Sequence, residues 1–116
     1  MQQHKRALKY IMDIESINNE LDKIFDHQNG DFNVFQQNFI SVRAVERDLM
    51  IIVEAINKIK QITPEVRISS TKQIIGLRNL IVHAYDSIEP NVLWRILVKD
   101  IPTLKKEMEE LKIKIG

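Results

Sequence analysis

Apolar residues recur along this chain at helical spacing, and the recurrence divides it into segments. Between residues 4 and 27, Ala7, Tyr10, Ile14, Ile17, Leu21 and Ile24 step 3-4-3-4-3, one continuous seam on a helix. Ile11 and Phe25 widen that seam. Asn29-Gly30 signals a turn. Phe32, Phe35 and Phe39 follow in a short segment expected to dock its aromatics on the core. Ser41 is placed to cap a second long helix over about 42–62. There Val42, Val45, Leu49, Ile52, Ile56 and Ile59 repeat the 3-4-3-4-3 step. Two long helices with matching seams predict an antiparallel pair.

Thr63-Pro64 ends the second helix, and residues 65–69 are expected to add a helical turn. A third helix is predicted from about Thr71 to Ala84, with a turn at Asp86-Ser87-Ile88. Pro90 suits the first turn of a fourth helix bearing Val92, Leu93, Trp94, Ile96 and Leu97. Asp100 and Pro102 are expected to punctuate the chain again. A last helix carries Leu104, Met108, Leu111 and Ile115, spaced 4-3-4. The whole reads as all-α, an up-and-down antiparallel bundle of four to five helices in one domain over residues 1–116. There is no repeat, low-complexity tract or linker.

Composition narrows the chemistry. The chain is 44% hydrophobic and 28% charged, a composition that folds. It has no cysteine, which excludes disulfides, thiolate catalysis and Cys-type zinc sites. No segment approaches the roughly 18 uninterrupted apolar residues of a membrane span. The opening residues lead into an amphipathic pattern and not a signal-peptide run, so a cytoplasmic protein is expected. The net charge of +1 does not suit a constitutive duplex binder but leaves room for a local basic patch. His4, His27 and His83 lie in separate segments without a second His at ligand spacing, so no metal or cofactor is expected.

The third helix is unusual. On a wheel of about 100° per residue, Ile74, Ile75, Leu77, Leu80, Ile81 and Val82 cover an arc of roughly 220°. Arg78 and Tyr85 fall inside that arc. Lys72, Gly76, Asn79 and His83 occupy the narrow opposite face. Arg78 and His83 are therefore about 140° apart on a straight helix and do not point at one spot. Either the helix ends or distorts near His83, or two copies of it meet so that Arg and His converge across a two-fold axis. The second arrangement predicts a homodimer.

Arg, His, Asn and Tyr without Cys or an acidic cluster suit phosphodiester chemistry. RNA supplies its own nucleophile, the 2′-OH. His83 could serve as general base or acid, and Arg78 could hold the phosphate bidentately. Asn79 could orient the histidine or the substrate, and Tyr85 could bond phosphate or stack on a base. The same residues also admit a plain structural role. A His near a helix C-terminus favours the dipole, an Arg in an apolar arc snorkels, and a terminal Tyr packs with its hydroxyl exposed. On the second long helix, Arg43, Arg47, Met50 and Glu54 lie within about 60°. They read either as solvated charges or as a basic track for an RNA backbone or an acidic partner.

At Arg78-Asn79-Leu80-Ile81-Val82-His83 the chain resembles the HEPN-domain proteins of the HepT-like toxin family, whose signature is Arg, a polar residue, three residues, then His. Tyr85 matches the tyrosine that the HepT-like version adds two places on. The likeness extends to Val42-Arg43-Ala44-Val45, Val53-Glu54-Ala55, Ile75-Gly76-Leu77, Val92-Leu93-Trp94 and Asp100-Ile101-Pro102-Thr103-Leu104, in the family's order. It departs at Ile51-Ile52, where many relatives carry a glycine before the Glu-Ala pair.

The resemblance implies a dimeric helical bundle with two Arg/His sets at a shared cleft. It implies a metal-independent ribonuclease toxin acting on RNA, often tRNA, with Arg78 and His83 catalytic and Asn79 and Tyr85 supporting. It further implies a minimal nucleotidyltransferase antitoxin as partner, which in some systems transfers AMP to the tyrosine matched by Tyr85. Arg43, Arg47 and Lys72 are candidates for RNA or partner contact. The alternative reading is a non-catalytic module that offers the nucleotidyltransferase a docking or nucleotide-binding surface.

Overall fold

The computed structural model describes residues 2–65 and 89–115. The expected helical turn after Pro64, the third helix and the turn at 86–88 lie outside the described residues, apart from Glu65. Helix α1 runs Gln2–His27 and α2 Phe32–Gln37. Helix α3 runs Phe39–Ile62, α4 Pro90–Arg95 and α5 Ile101–Ile115. A π-helical turn, Ile96–Asp100, joins α4 to α5. No strand occurs among the described residues, and none of their helices is long and apolar enough to cross a membrane. The fold is all-α, as the periodicity predicts.

Helices α1 and α3 form the antiparallel pair. At one end of it, Gln28 just past α1 donates through Nε2 to Ser41 Oγ in the first turn of α3 at 2.8 Å. Helix α5 runs antiparallel to α1 on another side, held by Lys105 on Asp22 and by Lys112 on Glu15 at 3.1 Å. The register falls on α1 as it rises on α5, which fixes the direction. These two ion pairs are partly exposed and each contributes only about 0–1 kcal/mol. The apolar core supplies the rest. All six seam residues of α3 are buried, together with Leu93, Ile96 and Leu97 and with Leu104, Met108 and Leu111 of α5.

The predicted seam of α1 shifts. Ala7, Ile11, Ile14 and Leu21 are buried, whereas Tyr10, Ile17 and Ile24 are only partly so. The buried line 7-11-14-18-21 runs through Asn18, which is 2% exposed and has neither amide atom hydrogen-bonded among the described residues. Two neighbours, α3 and α5, press on α1 from different sides. The face between them is enclosed, and the stripe's other edge is left half-open.

The aromatic segment divides. Asp31 caps α2, its Oδ1 accepting from the Asn33 N–H at 2.8 Å. Phe35 is fully buried and Phe32 packs against the core, but Phe39 is 69% exposed. Ser41 is not the cap of α3. Asn38 is, its Oδ1 accepting from the Ser41 N–H at 3.1 Å. That frees the Ser41 hydroxyl to accept from Gln28.

Asp100 and Pro102 do not break the chain. Backbone angles stay right-handed helical at Arg95, Ile96 and Ile101, and the Ile101 N–H reaches back to the Ile96 carbonyl, a π-type bond. Proline in a helix lacks a donor and presses on the carbonyl four residues back, here Val98. The wider π turn immediately before it accommodates the ring, so one helix runs from Pro90 to Ile115. Pro90 stands in the first turn of α4, where no donor is needed.

The turn after α1 uses its Asn-Gly pair for backbone reasons. Asn29 has φ 57° and Gly30 φ 61°, both left-handed. The Gly30 N–H bonds the Phe25 carbonyl at 3.0 Å, and a Cβ on Gly30 would lie 3.1 Å from the Phe25 ring. Gly30→Ala is expected to destabilise the fold by about 1–3 kcal/mol, from the left-handed penalty plus crowding. Thermal denaturation followed by helical circular dichroism checks this. An unchanged midpoint would mean that the turn relaxes freely.

Candidate functional site

Arg78, Asn79, His83, Tyr85 and Lys72 all lie outside the described residues. What the structure fixes is where the segment carrying them attaches. Helix α3 ends at Thr63, whose N–H and Oγ1 both bond the Ile59 carbonyl, at 2.8 and 2.9 Å. Pro64 then leaves the helix. The chain resumes at Glu89 and Pro90, and Trp94 of α4 packs against Phe25 near the end of α1 and Phe35 of α2. That is the end where α3 begins. The described chain therefore leaves one end of the α1–α3 pair at Thr63 and resumes near the other at Glu89.

Of the α3 stripe, Arg47, Met50 and Glu54 come together and Arg43 does not. Arg47, Met50 and Glu54 line an open groove of about 720 Å³, with Tyr10, Asp13 and Ile17 of α1 on the other wall. It exists because the half-open edge of the α1 seam faces the outer edge of α3. Its lining is mostly apolar, with Arg47 and Lys58 set against Asp13 and Glu54. Arg43 lies a turn earlier, exposed, with its guanidinium 5.2 Å over the Phe39 ring and 3.4 Å from Glu46. Its charge is partly committed within its own helix.

Asp48 belongs to no motif in the sequence. It is fully buried on α3, with the Glu20 carboxyl of α1 close enough to act on its own. Burial, and then the carboxylate of Glu20 on α1, push its pKa up to about 7, against the opposing pull of Arg47. The ionised form is disfavoured because a desolvated anion next to a like charge has little to offset its lost hydration. Only its position between two buried apolar neighbours, Val45 and Ile52, hinted at this in the sequence.

A second cluster is formed by aromatic rings of α1, α2 and α4. Trp94 stacks on Phe25 with ring centroids 5.2 Å apart and 19° between planes. Phe35 and Phe32 meet it tilted, at 5.0 and 6.0 Å. Arg95 and Lys99 are exposed beside it. Burial pushes the Asp100 carboxyl up, opposed by Arg95 and Lys99.

Comparison with known proteins supplies the remaining constraint. The family model described as ribonuclease HepT-like matches residues 7–111. A Methanocaldococcus jannaschii protein provisionally named an RNase is 39% identical over 83 residues, spanning 68% of this chain and 73% of its own length. A Caldanaerobacter subterraneus protein, also provisionally named an RNase, is 28% identical over 100 residues, spanning 84% and 89%. A Thermococcus cleftensis protein provisionally named ribonuclease HepT is 36% identical over 73 residues, spanning 60% and 64%. No solved structure matches the chain.

Proposed function

The chain belongs to the ribonuclease HepT-like family, and from that premise we propose that it is a metal-independent endoribonuclease that cuts at an Arg78/His83 centre. The observation that carries this reading is Arg78-Asn79-Leu80-Ile81-Val82-His83-Ala84-Tyr85, which falls within the matched stretch 7–111. His83 takes the proton of a ribose 2′-OH. That oxygen attacks the adjacent phosphorus, and the 5′-oxygen leaves with a proton. The strands end in a 2′,3′-cyclic phosphate and a 5′-hydroxyl. Arg78 holds the phosphoryl oxygens as negative charge builds on them. Asn79 orients histidine or substrate, and Tyr85 contacts the phosphate or a base.

The 140° separation of Arg78 and His83 on a straight helix supports a homodimer in which the two sets meet. The physiological role that fits is a cytoplasmic toxin paired with a nucleotidyltransferase antitoxin. Transfer of AMP to Tyr85 would place an anionic nucleotide beside Arg78, filling the phosphate position and repelling RNA. Intact-mass spectra after co-expression with the partner are expected to gain multiples of AMP, and to lose the gain in Tyr85→Phe.

The decisive experiment incubates the purified chain with RNA in excess chelator. Cleavage is expected to persist, to yield cyclic-phosphate ends and to stop at any nucleotide whose 2′-OH is replaced by hydrogen. Intact RNA under conditions of proven folding would instead favour the non-catalytic docking module. Cleavage that needs added metal would overturn the mechanism.

A further inference from the structure

Asn91, Trp94, Arg95, Val98 and Lys99 are spaced i, i+3, i+4, i+7 and i+8 along the helix that runs through α4 and the π turn, so they share one face. With Phe32 of α2 as the facing wall they enclose an open pocket of about 310 Å³, within the range that holds small organic ligands. The described residues that line it differ from those of the α1–α3 groove.

Its chemistry is mixed in a specific way. The wall is aromatic. Trp94 is half-buried, covered on one side by the stacked Phe25 ring, and reaches the pocket beside Phe32. Val98 adds an apolar side chain that is 46% exposed. The rim carries two exposed cations, Arg95 and Lys99, which act on the Asp100 carboxyl but form no ion pair within 4 Å among the described residues. Asn91 adds an amide that can donate and accept. An acidic peptide would use the cations and leave the aromatic wall without a role. An apolar peptide would use the wall and desolvate the cations without return. An unpaired nucleobase offers a π face to the wall and hydrogen-bonding edges to the amide. Its flanking phosphates meet the cations.

We propose that this pocket is a subsite for single-stranded RNA, holding one unpaired base against Trp94 and Phe32 with the adjacent phosphates on Arg95 and Lys99. The proposal rests on the ribonuclease reading for its choice of ligand, but it names residues other than Arg78 and His83.

Trp94 is the chain's single tryptophan, so its fluorescence reports on the pocket directly. The test titrates a short single-stranded RNA with 2′-O-methyl sugars, which cannot be cut. Binding is followed both by Trp94 emission and by anisotropy of a labelled copy. Quenching that saturates at the anisotropy midpoint is expected. Arg95→Gln with Lys99→Gln should weaken binding about tenfold or more, and the log–log salt dependence should flatten by about 1.4 for two lost phosphate contacts. Val98→Glu, which leaves both cations and the aromatic cluster in place, should also weaken binding.

No binding, binding without a change in Trp94 emission, or undiminished affinity in both variants would overturn the proposal. So would equal quenching by inorganic polyphosphate, which has no base to stack. The two readings fail separately. Cleavage of natural RNA together with unchanged binding in these variants removes the subsite alone. Quenching and its loss in the variants, with no cleavage, removes the ribonuclease mechanism alone.

Discussion

His83→Ala is expected to lower RNA cleavage by roughly 10²–10⁴-fold, the range that positioned proton transfer contributes. The reasoning is chemical. A ribose hydroxyl is a poor nucleophile until its proton is removed, and an alkoxide is a poor leaving group until it is protonated. Of the motif residues, only histidine exchanges protons readily near neutral pH. Arg78→Lys separates charge from geometry. It keeps the cation but loses the planar fork that grips two phosphoryl oxygens, so it should also be strongly impaired. Expression of wild type should arrest growth, and expression of His83→Ala should not. Undiminished cleavage by purified, folded His83→Ala would remove His83 from the mechanism, whatever the family does.

Asp48→Asn is expected to make the protein more stable at pH 8, with the gain shrinking towards pH 4. The folded-state pKa of Asp48 is raised from an ordinary 3.8 to about 7, with burial as the larger cause and Glu20 next. Below about pH 4 the carboxyl is protonated in both the folded and the unfolded chain, and this group costs nothing in charge. Between about 4 and 7 the folded chain keeps a proton that the unfolded chain has released, so stability falls as pH rises. Above about 7 the full penalty is present.

Asparagine has nearly the same shape and no charge, so it should flatten this part of the pH–stability curve and raise the melting temperature at pH 8. Glu20→Gln should recover part of the gain by removing the like charge. Urea denaturation at pH 4.5 and pH 8 reads both effects. An equal slope in wild type and Asp48→Asn, with no gain at pH 8, would show that the carboxyl is relieved by contacts beyond those described.

The buried acid shows why some of this protein lay beyond sequence reading. Asp48 sits beside the seam of Val45, Leu49 and Ile52 on its helix, but residue type assigns a charged side chain to solvent. Helix α3 is buried over a wider arc than its own seam indicates, and Asp48 lies on that arc beside Glu20 of α1. Asn18 was hidden for the same reason. The line of α1 buried between two helices passes through it, while the half-exposed Tyr10 and Ile17 lie on the edge that pattern placed at the centre.

The helices themselves were set locally. A repeat of 3-4-3-4-3 puts apolar atoms on one stripe regardless of what covers it, so α1, α3 and α5 and their all-α packing followed from residue spacing. The Asn29-Gly30 turn and Pro90 followed from backbone chemistry, which depends on the residue and its immediate neighbours. The Arg78–Tyr85 motif was also read from the chain, since it is a statement about residue types and order. Tertiary structure decided which edge of each stripe is covered and that Asn38, not Ser41, caps α3. It decided that a π turn carries the helix past Pro102. It alone gathered Phe32, Trp94, Arg95 and Lys99 around one pocket, because that requires α2 to fold back onto α4 across more than fifty residues of intervening chain. Spacing along the chain encodes what a helix offers, but the choice among its faces is made by the neighbours that arrive.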